Sequence, residues 1–242
     1  MTQDPLKQTA EASKTRGAAA KKDGYHAFDF STLTPREAYK VMIGTIVPRP
    51  IAWVTTVSPE GVVNAAPYSF FNCLSADPPI LALGVENKPD RSFKDTAQNI
   101  RMTECFTVNI VDRANVEAMA VTAAGFAADV DEVEMAGLTT APGEKVICPR
   151  IAEAPVAFEC ERYLGIQVSS AREIILGRIV MAHIREDIID PATCYSDHEK
   201  LDAIGRMGGN GYAGTLDYFD WPTPSVEDVL ANLRVPVARS GA

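Results

Sequence analysis

The chain is predicted to be mainly β, an antiparallel barrel with helices at its periphery, and three observations predict it. Residues 51–57, IAWVTTV, are dense in β-branched and aromatic side chains, the composition of a half-buried strand. Ser58-Pro59-Glu60-Gly61 then supplies a turn, and Val62 and Val63 resume the extended pattern. The run ILALGV over 80–85 follows Pro78-Pro79 as a short buried strand. Further on, 155–168 and 173–185 are apolar at alternate positions and partly apolar on the other face, with 169–172 the length of a hairpin connection. Two-sided apolar strands of that kind suit a small closed barrel packed from outside by helices or a second subunit.

Composition bounds the rest. With 242 residues and 46% hydrophobic side chains, one packed domain is expected over 25–242, ending in a C-terminal arm. Residues 1–24 are rich in Lys, Thr, Ala and Gln without an apolar period, and are expected to be a disordered tail. Twenty-three Lys and Arg against 32 Asp and Glu give a net charge of −9, which argues against a nucleic-acid partner but not against a single bound nucleotide. Cys73, Cys105, Cys148, Cys160 and Cys194 form no CxxC pair. Their odd count and the lack of a secretory segment fit free thiols in a reducing cytoplasm. No uninterrupted apolar stretch is long enough for a membrane span.

The elements follow in order. Thr34, Pro35 and Glu37 have the spacing of a capping box with Pro at the first helical position, opening a short helix that Pro48-Arg49-Pro50 ends. Arg49 reads as a solvated loop charge. Ala65-Ala66-Pro67-Tyr68-Ser69-Phe70-Phe71-Asn72 sets small residues before aromatics and hydroxyls, a combination suited to a flat conjugated ligand, though each residue singly also fits a core hairpin. Ser92 and Asp95 have capping-box spacing, and Phe93, Ala97 and Ile100 continue as one helical face. The N-terminus of that helix, with Arg91, Lys94 and Thr96 as extra donors, reads either as ordinary capping or as a phosphate cradle. Residues 105–111 alternate as a strand in which Asn109 is a surface position or a ligand contact. A helix over about 115–124 and an acidic stretch over 129–137 read as a peripheral insertion at the barrel's edge or over a ligand mouth. Ser225, with Asp228 three residues later, caps a final helix after Trp221.

RPIAWVTTVSPEGVVNAAPYSFFNCLSADPPILALGV and RSFKDTAQNI, then ECFTVNIVD, GRIVMAHI and RMGGNGY in that order, resemble the flavin reductase-like family of FMN-binding split β-barrel proteins over roughly residues 28–215. The resemblance implies a six-stranded antiparallel split barrel with helices at its ends, a homodimer, bound FMN, and NADH or NADPH as reductant. It implies that the phosphate reading holds at Arg91, Ser92, Lys94, Asp95 and Thr96. For the flavin ring the candidates are backbone N–H groups at Thr55, Thr56, Ser69 and Phe70, the Ser75 hydroxyl, and packing by Trp53 and Tyr68, with Asn109 meeting the flavin or the phosphate loop. Arg206 and Tyr212 of RMGGNGY, where Gly permits close backbone approach, are expected beside the active site. His183 in GRIVMAHI reads as a buried structural residue or, on the resemblance, as the catalytic group near flavin and nicotinamide.

The leading expectation is thus an oxidoreductase that passes hydride from NAD(P)H to FMN, alone or as supplier to a monooxygenase or other electron-accepting protein. A flavoredoxin-like carrier without its own nicotinamide site, or a barrel without redox chemistry, are the alternatives. No metal is expected, because His26, His183, Cys194 and His198 lack ligand spacing. A GxSxG elbow and a Walker loop are both absent from the sequence.

Overall fold

Local sequence explains most elements of the computed structural model, which describes residues 20–233. Strands β1 (Ala20–Lys22) and β2 (Tyr25–Ala27) pair through Asp23 and Gly24, whose φ values of 51° and 82° suit a two-residue hairpin turn. The tail expected over 1–24 therefore lies outside the described residues only through 19. Its last five positions belong to this hairpin, where turn chemistry outweighs polar composition. Helix α1 (Pro35–Thr45) opens with the expected box: Thr34 accepts from the Glu37 N–H, and Glu37 accepts from the Thr34 N–H at 2.9 Å.

After the short β3 (Arg49–Pro50) come β4 (Ala52–Val57), β5 (Val63–Tyr68), β6 (Phe71–Ala76) and β7 (Pro79–Glu86). Helix α2 (Asp95–Thr103) leads into β8 (Cys105–Ile110), then α3 (Val116–Val121) and α4 (Glu132–Met135). The short pair β9 (Thr140–Ala141) and β10 (Arg150–Ile151) precedes the long hairpin β11 (Val156–Ser169) and β12 (Arg172–Ile184), turned at Ser170-Ala171 as the sequence indicates. Helix α5 (His198–Leu201), strands β13 (Ile204–Arg206) and β14 (Tyr212–Gly214), and helix α6 (Val226–Leu233) are the last elements of the described residues.

The main sheet is antiparallel throughout, in the order β5-β4-β8-β11-β12-β7-β6. It has seven strands where six in a closed ring were expected. The added strand is β6, whose residues are mostly exposed and carry no apolar alternation. Hydrogen bonds to β7, rather than burial, hold it in place, so hydrophobic periodicity could not reveal it. The two edge strands are consecutive in sequence, separated only by Ser69 and Phe70, so the sheet must curl until its edges meet there.

Strand β4 is buried on both faces. Ala52 and Val54 pack with Leu81, Leu83, Phe106 and Ile175 in one core, while Ile51 and Trp53 pack with Met119, Val133 and Ile151 in a second core. The strand read as half-buried from its composition is therefore covered on both faces, by different partners. Gly177 on β12 is required by close approach, since a Cβ there would collide with the Phe106 ring.

Arg49 is not a solvated loop charge. It is 7% exposed, donating to the carbonyls of Ile43 and Ile46 at 2.8 Å and of Met207 at 3.1 Å. It thereby satisfies carbonyls at the end of α1 that would otherwise lack partners. The final helix begins as expected, with Ser225 Oγ accepting from the Asp228 N–H at 3.1 Å.

Candidate functional site

The junction of the two sheet edges opens onto three cavities of about 460, 250 and 160 Å³, all walled by Pro67 and Tyr68. They form one groove of the size that holds a cofactor. Its largest part runs from Asn64 and Ala66 to Lys88, Lys94 and Thr96, with Ala123, Ala124 and Gly125 opposite. Small side chains on both walls leave room for a flat ligand against backbone. The other parts add Ser69, Phe70, Tyr39 and Arg172 on one side and Met119, Arg206 and Tyr212 on the other.

Helix α2 delivers its N-terminus to the largest part. The expected Ser92/Asp95 box does not form there: the Ser92 hydroxyl donates to Asp90 at 2.6 Å, and Asp95 pairs with Lys88 at 2.8 Å. The helix instead starts after Lys94, which offers no side-chain cap. Its first N–H groups are left for solvent or an anion, beside two lysines. Behind this end, the Thr96 hydroxyl donates to Asn64 Oδ1 at 2.7 Å, and Asn64 Nδ2 donates to Glu132 at 2.8 Å. Glu132 also accepts the Ala65 N–H at 3.1 Å. Burial raises the Glu132 carboxyl above its ordinary range, against those donors. It ties α4 to β5, so the acidic stretch read as peripheral sends one carboxylate into the wall. Tyr68 is pushed up to about 12, chiefly by burial, and presents a neutral phenol.

At the other end, Phe70 crosses the sheet over Gly84, where a Cβ would come within 2.9 Å of the Phe70 Cβ. Tyr39 meets Phe70 edge-on at 6.0 Å, and the Arg172 guanidinium stands 5.9 Å over the Tyr39 ring. Arg206 stacks on Tyr212 at 4.5 Å and donates to the Gly209 carbonyl at 2.7 Å.

Of the residues singled out from sequence, Tyr68, Ser69, Phe70, Lys94, Asp95, Thr96, Arg206 and Tyr212 come together in the groove. Trp53, Thr55, Thr56 and Asn109 do not reach it with their side chains; all are fully buried in the supporting wall. Trp53 Nε1 donates to Thr122 at 2.9 Å, and Thr56 accepts from Asn99 at 3.1 Å. Asn109 bridges the Trp53 carbonyl and the Ile151 N–H, each at 2.9 Å, so it is not a surface position and both ends of its amide are paired within the wall. Ser75 lies on exposed β6, where it accepts from the Asp77 N–H, and Arg91 and Ser92 stay in the loop before α2 without lining the groove. His183 lines a separate cavity of about 460 Å³ with Arg150 and Arg185, and shares no lining residue with the groove.

Sequence reasoning missed Tyr39, Asn64, Lys88 and Arg172, whereas the 122–126 wall falls in the stretch read as lying at the barrel's edge or over a ligand mouth. Lys88, beside Pro89 and seven residues before Asp95, was the one with a signal: a third cation just ahead of the helix. The arm after Thr215 leaves Phe219 and Trp221 more than 80% exposed, and none of residues 215–231 lines the groove of its own chain. Among the described residues no group of three or more His, Cys, Asp or Glu is placed to hold a metal ion.

A curled antiparallel sheet, open between its edge strands and flanked by short helices, is a split barrel. The chain belongs to the family of the flavin reductase like domain, whose model matches residues 43–203. A protein of Aquifex aeolicus without assigned function is 40% identical over 174 residues, covering 72% of this chain and 88% of the relative. The 2-nitrobenzoate 2-nitroreductase NbaA of Pseudomonas fluorescens superposes with a TM-score of 0.76 at 36% identity, over 82% of this chain and 96% of that one. Component B of nitrilotriacetate monooxygenase from Bacillus cereus gives a TM-score of 0.78 at 33% identity, over 83% and 100%. Among the described residues no helix is long and apolar enough to cross a membrane.

Proposed function

We propose that the chain is an FMN-dependent oxidoreductase that takes hydride from NADH or NADPH, working as a homodimer in the cytoplasm. The observation that carries this reading is the uncapped start of α2 opening, with Lys88 and Lys94, onto a groove that continues along Tyr68. A flavin mononucleotide has the matching chemistry, a dianionic tail and a flat ring. Lys88, Lys94 and the first N–H groups of α2, that of Thr96 among them, hold the phosphate, Ala66 and Pro67 admit the ring, and Tyr68 with Ser69 bounds its edge. When bound, the flavin supplies the two-electron chemistry, so the protein needs no nucleophile of its own.

Tyr39, Arg172, Arg206 and Tyr212 rim the outer part of the groove and are assigned to the nicotinamide donor, whose phosphates suit the two arginines. Apolar side chains at the far end of the long hairpin, including Tyr163, Leu164, Ile166 and Val168, are exposed in the single chain and are assigned to the second subunit, as is the C-terminal arm.

The similarity to a monooxygenase component supports delivery of reduced flavin to a partner oxygenase, and the similarity to a nitroreductase supports reduction of an organic acceptor in place. Purified protein is loaded with FMN, desalted and titrated anaerobically with NADH and NADPH while absorbance near 450 nm is followed. Bleaching by one nucleotide supports the reductase, and retention of the flavin through repeated desalting favours in-place reduction. A loaded sample that neither nucleotide bleaches would return the chain to the flavoredoxin-like carrier.

A further inference from the structure

We propose that Cys105 and Cys148 form a reversible disulfide, closed by a peroxide and reopened by a thiol. All five cysteines are free, and these two sulfurs lie 3.4 Å apart in the interior. A disulfide needs about 2.05 Å between sulfurs, so closure requires an approach of little more than roughly 1 Å. The other thiols have no such neighbour. Cys160 is buried with its sulfur 3.5 Å from the Phe158 carbonyl, and Cys73 and Cys194 are exposed on separate elements.

The pair joins two different parts of the molecule. Cys105 is the first residue of β8, and Cys148 closes the loop over 142–149, its carbonyl accepting from the Thr107 hydroxyl at 2.9 Å. That same loop sends the N–H groups of Glu144, Lys145 and Val146 to the Glu159 carboxylate at 2.8, 2.6 and 3.0 Å. A bridge would add a covalent tie between the loop and the barrel to the hydrogen bonds already made there.

The chemistry has a direction. Cys105 keeps 6% exposure and Cys148 none, so an oxidant meets Cys105 first. With the Cys148 thiol as donor, the hydrogen bond between the two sulfurs lowers the Cys105 thiol from its ordinary range, against the burial that raises it, and so favours the nucleophilic thiolate. The Cys105 thiolate attacks one oxygen of hydrogen peroxide, the O–O bond breaks, and hydroxide leaves to be protonated to water. The Cys148 sulfur then displaces the second oxygen from the sulfenic acid as water, giving up its own proton as the S–S bond forms. Two thiols and one peroxide give one disulfide and two waters; two electrons pass from sulfur to oxygen.

The test uses the full chain carrying Cys73→Ser and Cys194→Ser, reduced, treated with hydrogen peroxide while folded, then unfolded, alkylated and digested with trypsin. The expected product joins peptide 102–113 to peptide 146–150, leaves only the Cys160 thiol labelled, and reverts with dithiothreitol. The oxidised chain should melt roughly 5–10 °C higher than the reduced one. In the unsubstituted chain the same linked peptide is expected, which covers the case in which the double variant folds poorly. Recovery of both peptides separately alkylated, a link from Cys105 to Cys160, or sulfinic acid at Cys105 with Cys148 still free would overturn the proposal.

Discussion

His183 Nε2 lies 2.6 Å from Oε1 of Glu159, a carboxylate with no exposed surface that also accepts three consecutive backbone N–H groups. Burial opposes the charge of Glu159, but those donors and His183 outweigh it and hold the carboxyl at about 2. The pair is a clamp between β11, β12 and the loop over 142–149, on a cavity apart from the groove.

That clamp fixes an acid limit. The folded value near 2 lies below the ordinary 4.5, so the stabilisation is present above pH 4.5 and is lost as pH falls from there through 2. Glu159→Gln should flatten the melting temperature against pH across that window and cost about 2–4 kcal/mol at neutral pH. His183→Gln should destabilise by less and leave FMN affinity unchanged. A Glu159→Gln melting curve that still falls steeply between pH 4.5 and 2 would place the acid-sensitive group elsewhere.

At the groove, Lys88→Ala combined with Lys94→Ala should raise the FMN dissociation constant roughly tenfold or more, by removing both cations beside the start of α2. The flavin-free melting temperature should barely move, because the part-exposed Lys88–Asp95 pair contributes at most about 1 kcal/mol. Fluorescence quenching of added FMN measures the first quantity and calorimetry the second. Unchanged affinity would remove the phosphate assignment.

Arg49→Met keeps a long side chain but deprives the Ile43, Ile46 and Met207 carbonyls of their donor. A loss of about 2–4 kcal/mol is expected in urea unfolding. A cost below about 0.5 kcal/mol would mean that those carbonyls find water without penalty.

Gly177→Ala should cost about 1–3 kcal/mol, since the new methyl meets the Phe106 ring and stands 3.2 Å from the Cys160 Cβ. Adding Phe106→Leu to that variant should recover part of the loss. Additive losses from the two substitutions would count against a direct collision.

Legibility followed sequence distance. The Thr34–Glu37 box, the turn between β11 and β12 and the cap at Ser225 are made by residues at most four apart, and all were readable. Strand β6 was not, because exposure and pairing to β7 leave no apolar period. Ser92 and Asp95 had the spacing of a box yet found other partners in Asp90 and Lys88, which moved the helix start and left its first turn open. Arg49 between two prolines looked solvated because nothing local revealed that α1 would end against it.

The family was already visible in ordered motifs along the chain, and the family model bears that out over 43–203. The strand pattern and most helix starts follow from side chains acting on their immediate neighbours, and a sequence states those directly. The curvature of the sheet decided the remainder. By bringing its two edges together at Ser69-Phe70 it chose which hydroxyls and cations face the groove, sending Tyr68 and Lys94 into it and Asn109 and Thr55 behind it. Pairing of β11 with β12 set Glu159 on His183, and the packing of α4 and of the loop over 142–149 against the sheet set Glu132 on Asn64 and Cys148 on Cys105, contacts between residues too far apart in sequence for any local pattern to state.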